Sequence, residues 1–407
     1  MKKCCFLSLL ILLVSVSYAQ VINFPDANFK ARLLDSSPSA GVGKDAQGNN
    51  ITIDTNHNNE IEVSEALTVY GLVVPGSGIS DLTGLDNFSN LTLFLCSANN
   101  LTDLSVVSAL PNLVTLYCNG NSLTTLDLNS NLALETLECG ENDLTSLEVG
   151  NCTNLKNLSC YRNLLTNLDT SNLIHLESLR CGDNFLSQLN VLNSPSLYEL
   201  DFFNNQLTQI DLTGLGQSAL ATSWVFFLNC RFNNLIDLDT TVMYPGVRPR
   251  IECGYNPNLA AIYSKNGVTF VDDNPHMPPF PGLYIEELPS LQYICVDQEN
   301  FQYVQDKINY FGYSGVIVDS NCALAVDSNE IHTSFSIYPN PARTILNLDN
   351  QSNYQVKSVT IYNLLAQVVE KTKGNNRIID VSALATGTYL LRIETDNGYF
   401  STKFIKE

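Results

Sequence analysis

The sequence predicts a stacked solenoid, α/β to mainly β, with a cap at each end and a small β-sandwich behind it. Three observations carry that expectation. A frame L-x-x-L-x-C-x-x-N-x-L-T-x-L recurs about every 21 residues from Leu91, with copies at Leu113, Leu134, Leu155, Leu176 and Leu197. Segments before and after the copies lose the frame, as the covered ends of a stack must. The last stretch alternates short apolar runs with Pro, Gly and Asn-Gly punctuation, the pattern of a sandwich. Such a period means coils that bury their apolar faces on one another, not a compact enzyme core. The chain divides into a leader at 1–19, an amino-terminal cap at 20–66 and coils at 67–281. A carboxy-terminal cap at 282–323, a linker at 324–334 and the sandwich at 335–407 complete it.

The leader reads as a secretory signal peptide. Lys2 and Lys3 precede an apolar core from Phe6 to Val16, and Ser17-Tyr18-Ala19 forms a small-x-small cleavage site before Gln20. That core is short for a bilayer, and no later segment reads as transmembrane. Lys and Arg number 21 against 41 Asp and Glu, a net charge of −20. This balance argues against nucleic acid and anionic membrane surfaces as partners, since both need basic patches.

Within each copy, positions one, four and six point into a shared core, and the residues between point out with the period of a short strand. Position nine recurs as Asn99, Asn121, Asn142, Asn163, Asn184, Asn205, Asn233 and Asn256. Buried amides there can bond the turn backbone of neighbouring coils as a ladder. Second strands are expected near Leu123–Leu128 and Leu144–Val149, leaving little room for a convex helix. Degenerate copies follow at Val225 and Arg248, a stretched one begins at Leu67, and Gly214 to Trp224 lengthens one coil. From Leu67 to Tyr263 the chain resembles the leucine-rich repeat family, closest to its short-repeat, internalin-like type.

Position six is usually cysteine: Cys96, Cys118, Cys139, Cys160, Cys181, Cys230 and Cys253, with Phe202 once. Parallel strands stack about 4.8 Å apart, so the thiols form a line and not the tetrahedron zinc prefers. They are expected to be buried small hydrophobes, as is Cys152. Cys295 and Cys322 bracket the carboxy-terminal cap and are expected to pair in a secreted protein; leucine-rich repeat proteins often end in such a cap.

In the amino-terminal cap, Phe24 to Leu34 reads as a capped helix. Asp54 to Glu65 then matches a twelve-residue EF-hand-like loop. Its donors are Asp54, Asn56, Asn58, Glu60 and Glu65, with Asn59 where glycine is usual. One structural calcium is expected there; the other reading is an asparagine-rich capping turn.

The terminal sandwich carries Tyr338-Pro339-Asn340-Pro341, Gly387-Thr388-Tyr389 and Lys403-Phe404-Ile405-Lys406. These resemble the C-terminal sorting domain of the type IX secretion system of Bacteroidota; Ala366 departs from a usual glycine. The resemblance implies engagement of that secretion machinery, export through the periplasm, removal of the tail, and release or attachment to the outer-membrane surface.

No catalytic constellation appears: His57, His175, His276 and His332 lack recognisable partners, and no hydrolase, P-loop or dinucleotide motif is present. The chain is expected not to be an enzyme. Function falls to the exposed sheet positions, among them Tyr117, Tyr161, Arg180, Asp201, Phe203, Phe227, Arg231 and Arg250. Aromatic and arginine side chains dominate interface hot spots, which points to an adhesin or recognition module for an extracellular protein. The same ladders could instead serve only cross-strand packing. A glycan ligand, stacked on Tyr117, Tyr161 and Phe203 with Glu199 and Asp201 taking hydroxyls, is the rival reading. A structural surface coat is the third.

Overall fold

The computed structural model describes residues 20–217, 225–270, 282–322, 335–350, 355–363, 368–374, 377–395 and 399–407. The signal peptide, most of the Gly214–Trp224 insertion, the linker, His276, His332, Ala366 and the Asp396–Gly398 turn lie outside them.

Each frame makes one coil of a leucine-rich repeat solenoid. Its first strand joins a long parallel sheet running from Gly71–Val73 through Leu93–Leu95, Thr115–Tyr117, Thr136–Glu138, Asn157–Ser159 and Ser178–Arg180. The sheet continues through Glu199–Asp201, Phe226–Asn229, Pro249–Glu252 and Gly282–Tyr284. Antiparallel Gly43–Lys44 and Asn50–Ile51 close the amino-terminal edge. Register is unshifted from coil to coil, as between Leu116 and Leu137 or Leu179 and Leu200. In the three-residue strands of this sheet the middle residue is buried, and most of its neighbours are at least partly exposed.

The asparagine ladder forms as the spacing implies. Asn163 accepts from Leu144 N–H at 3.0 Å and donates to the Cys139 and Cys160 carbonyls at 3.1 and 3.0 Å. Asn142, Asn184 and Asn205 repeat the pattern. Each amide thus ties its own coil to the preceding one, which is why a polar residue is kept inside.

Two boundaries differ from the leucine pattern. Leu93 pairs with Gly71, so Leu91 corresponds to Val69. Val69 is fully buried while Leu67 is 41 % exposed, and the first coil begins at Val69. Leu67 instead ends the short helix Val63–Ala66. At the other end, Gly282–Tyr284 pairs with Arg250–Glu252, so the segment read as a cap also carries the last coil. Its frame is disguised because Ile285 replaces the cysteine and Leu288 the asparagine, both buried.

The caps cover the open core. Helix Ala27–Leu34 is capped by Asp26, which accepts from Phe29 N–H at 2.9 Å, and buries Phe29 and Leu33. Helix Phe301–Tyr310 buries Val304 and Ile308 at the far end. Cys295 and Cys322 form the expected disulfide, with Cα atoms 5.1 Å apart. On the other side of the coils, Thr125–Asp127 pairs with Ser146–Glu148. A second parallel sheet there joins Asp237–Asp239, Ala261–Ser264, Tyr293–Val296 and Ile317–Asp319.

The terminal unit is a sandwich of two antiparallel sheets. One holds Phe335–Tyr338, Ile345–Asn350 and Ile378–Asp380; the other holds Val368–Lys373, Val356–Tyr362, Gly387–Thr395 and Tyr399–Lys406. Leu346, Ile361, Leu391 and Phe404 fill its core. Tyr389 stacks on Phe404 at 5.5 Å and donates to the Ala385 carbonyl at 2.9 Å, which explains the tyrosine of Gly387-Thr388-Tyr389.

Candidate binding face on the long sheet

The cysteine line is buried and poorly ionised. Among the described residues, all eight cysteines outside the disulfide are buried. Burial pushes Cys118 and Cys160 up to about 12 and Cys152 up to about 11. A thiol so far above neutrality carries little of the thiolate form that attacks electrophiles.

The sheet face divides into three neighbourhoods. Tyr117 and Arg180 share a recess of about 280 Å³ with Glu138, Tyr198 and Glu199. Arg180 bonds Glu199 at 2.8 Å, and Glu199 also takes the Ser178 hydroxyl at 2.6 Å. Ser159 and Ser178, on strand positions that point away from the core, are only 7 % exposed. Their side chains are short enough for larger neighbours on adjacent strands to cover.

Tyr161 stands apart. Its ring lies over Gly140, where a Cβ atom would meet Cε1 at 2.5 Å, and Arg162 sits 6.0 Å from the ring centroid. Glycine at 140 is the condition for that ring position.

The densest neighbourhood surrounds Phe203 and Arg231. Phe203 meets Phe232 edge-on at 5.2 Å, and Phe232 stacks on Tyr255 at 4.2 Å and 5°. The Arg231 guanidinium lies 5.8 Å from the Phe232 centroid and 5.6 Å from that of Tyr255. Arg231 also pairs with Glu252 at 3.5 Å. Arg250 bonds Glu252 at 2.7 Å and covers the Tyr284 ring at 4.5 Å, with Lys307 4.9 Å from the same ring. Phe227 is half-buried on the strand pairing with those of Asp201 and Arg250. Asp201 is occupied structurally: burial raises its carboxyl above the ordinary range, and it accepts from Phe203 N–H at 3.0 Å.

Phe232 and Tyr255 escaped sequence reasoning because they follow the strand. Both occupy the position before the ladder asparagine, and that position is left-handed in coil after coil. Ala98, Glu141, Arg162, Asp183 and Asn204 sit there with φ between 50 and 56°. Gly120 fills it without strain. Phe232 at 55° and Tyr255 at 57° are the costly choices, because bulky side chains resist this region. The available signal was an aromatic residue where the turn favours glycine or asparagine.

In the Asp54–Glu65 loop, Asp54 accepts from the Asn58 and Asn59 amides at 3.2 and 3.0 Å. Asn56 and Asn58 accept from the Asn58 and Glu60 amides at 3.0 and 2.8 Å. Asn59 takes φ 65°, the value that glycine serves in such loops. Glu65 accepts from Thr55 N–H at 2.7 Å and Glu62 N–H at 3.1 Å. The Glu60 carboxylate pairs with Lys30 at 2.6 Å; the seventh position of such a loop donates through its backbone carbonyl, not its side chain. Among the described residues no three His, Cys, Asp or Glu side chains converge as a metal group. The oxygen set here instead leans on asparagines, a chemistry that fits calcium and not a transition metal.

Residues 336–407 match the family described as the Secretion system C-terminal sorting domain. The terminal sandwich is a sorting domain. The chain is thus marked for export, to be secreted or attached at the cell surface. Among the described residues no helix is long and apolar enough to cross a membrane. A search of curated proteins returns no match. Among solved structures, one similar chain is the functional domain of InlJ from Listeria monocytogenes, which includes a cysteine ladder. It is 17 % identical, with 96 % of this chain and 99 % of that one covered, at a TM-score of 0.41. The internalin InlF from the same organism is 17 % identical over 75 % and 92 %, at 0.40. Internalin C2 is 22 % identical over 49 % and 96 %, at 0.35.

Proposed function

We propose that this protein is a non-enzymatic recognition module that binds an extracellular protein partner through the outer face of its long sheet. The observation that carries this reading is the Phe203–Phe232–Tyr255 stack with Arg231 across it. Other coils fill the left-handed turn with Ala98, Gly120 or polar residues such as Glu141 and Arg162, yet two coils place an aromatic ring there, and Phe232 is 39 % exposed. Backbone strain maintained at an exposed aromatic and arginine cluster is a signature of binding function. A glycan partner is favoured by a different place, the polar recess at Tyr117.

A panel of purified extracellular proteins and a glycan array, both probed with the tail-less chain, separate the two readings. Protein binding that disappears when Arg180→Glu, Arg231→Glu and Phe203→Ala are combined, with the fold intact, supports the proposal. Binding to glycans alone, lost with Tyr117→Ala, replaces it with the second reading. Calcium in the Asp54–Glu65 loop, held by Asp54, Asn56, Asn58 and Glu65, would be structural: it would pin the amino-terminal cap and take no part in binding.

A further inference from the structure

Strands on the far side of the coils ordinarily keep one side chain inside and leave its neighbours in water. Thr125 and Asp127 are exposed about buried Leu126, and Glu148 is exposed beside buried Leu147. This alternation ends toward the carboxy-terminal coils. In Ala261–Ser264 and Tyr293–Val296 every residue is buried. Ile262, Ile294 and Val296 belong to the solenoid core. Ala261, Tyr263, Tyr293 and Cys295 point the opposite way, as period two requires, and cluster instead with Cys322 and Leu390. Leu390 belongs to the sorting domain. The sequence therefore replaces polar outward residues with Ala, Tyr and a cystine only where that domain lies.

The two surfaces match in charge as well. Register sets Tyr362, Leu390 and Lys403 side by side across the sorting-domain sheet. Across from them, Asp239, Tyr263 and Cys295 are aligned in the same manner. Lys403 Nζ lies 3.1 Å from Asp239, 3.5 Å from Asp237 and 3.7 Å from the centroid of the Tyr263 ring. Its side chain is 18 % exposed. An ammonium held by two carboxylates and an aromatic face, largely out of water, is a specific contact and not a surface ion pair. Without it, two carboxylates would stand together beside a buried tyrosine with no counter-charge.

We propose that the outward face of the second sheet is a binding surface for the chain's own sorting domain, clamped by Lys403. The short linker holds the two units at an effective concentration on the order of mM, so a contact too weak for separate molecules stays closed in the intact chain. Cutting away the tail removes that advantage. It bares Tyr263 and Tyr293 beside two acidic residues, a second surface fitted to a lysine carried on a strand with apolar neighbours. Because Lys403 opens the closing Lys403-Phe404-Ile405-Lys406 segment, the folded solenoid also covers part of the sorting domain's terminal motif until the domain is pulled away.

Zero-length carbodiimide cross-linking of the intact full-length chain, read by mass spectrometry, tests this directly. Lys403 should join Asp239 or Asp237 within one molecule. The Lys30–Glu60 and Lys156–Glu135 pairs, at 2.6 and 2.7 Å, serve as internal standards. Standards that cross-link while Lys403 does not would overturn the proposal. In small-angle scattering, Lys403→Glu should enlarge the intact chain, and adding Asp237→Lys with Asp239→Lys should restore compactness. A Lys403→Glu chain as compact as the natural one, or a charge swap that restores nothing, would also overturn it.

Discussion

Replacing Asn163 tests the claim that the ladder, more than the cysteine line, holds the coils together. The amide makes four contacts, and they are not equally replaceable; the weakest, to the Tyr161 carbonyl at 3.3 Å, leaves that carbonyl with the Glu141 N–H at 2.9 Å. The Cys139 carbonyl keeps the Asn142 amide at 3.1 Å and the Cys160 carbonyl keeps that of Asn184 at 3.0 Å. The buried Leu144 N–H has only Asn163 Oδ1, at 3.0 Å. Asn163→Ala should therefore strand one buried donor, at about 1–3 kcal/mol, and remove three bonds whose acceptors stay partnered, for a total of about 2–4 kcal/mol. Asn163→Asp should cost more at neutral pH, because it keeps the acceptor for Leu144 but turns a carboxylate oxygen toward two carbonyls. Its folded-state pKa would be raised, so stability should return as pH falls through that value and the protonated acid regains a donor. Urea titration gives the totals, and hydrogen exchange at the Leu144 amide localises them. An alanine variant within about 0.5 kcal/mol of the natural protein, or a Leu144 amide that stays protected, would refute the reasoning.

Other consequences follow from the same coordinates. Because burial raises the cysteine thiols to about 11 or 12 at Cys118, Cys152 and Cys160, iodoacetamide should leave them unlabelled in the native protein at pH 8 and modify them in denaturant. Rapid native labelling would contradict a packing role. Substituting both Cys295 and Cys322 by serine should cost about 3–4 kcal/mol from the loop that the bridge closes, with exchange rising in the carboxy-terminal cap and not near Asn99. Burial pushes the Glu65 carboxyl up, but hydrogen bonds from Glu62 and Thr55 outweigh it and hold the group below 4.5. That stabilisation is present above pH 4.5 and should be lost as pH falls through the depressed value, loosening the Thr55 and Glu62 amides first. Calcium should raise the thermal midpoint of the natural chain and not that of Glu65→Gln; an unresponsive midpoint would leave the loop as a capping turn alone.

Much of the scaffold was legible because repetition multiplies a weak signal. One leucine or asparagine says little, but Asn99 through Asn256 at one phase can satisfy only a stacked turn, and the disulfide followed from two cysteines bracketing a cap. Legibility failed where a residue changed type while keeping its place. Val69 stands for leucine, while Ile285 and Leu288 stand for cysteine and asparagine, so the first and last coils lost their markers. The face was legible by position and not by partnership. Arg180 on its strand and Phe203 just past the end of one were found, whereas Phe232 and Tyr255 sit on a turn whose left-handed backbone sequence does not display. Lys403 was read as part of a terminal motif; that it meets Asp237 and Asp239 depends on a fold far away in sequence.

The sharpest test of the binding face is Phe232→Gly, measured for stability and for partner binding on the same preparation. Glycine relieves a left-handed backbone worth about 1–2 kcal/mol and gives up the Tyr255 stack, worth about 0.5–1.5 kcal/mol, so stability should be nearly unchanged. If the ring is maintained for recognition, affinity for the partner should fall at least about tenfold, as for a modest hot spot. Full binding with an unchanged fold, or a fold lost along with the ring, would contradict it.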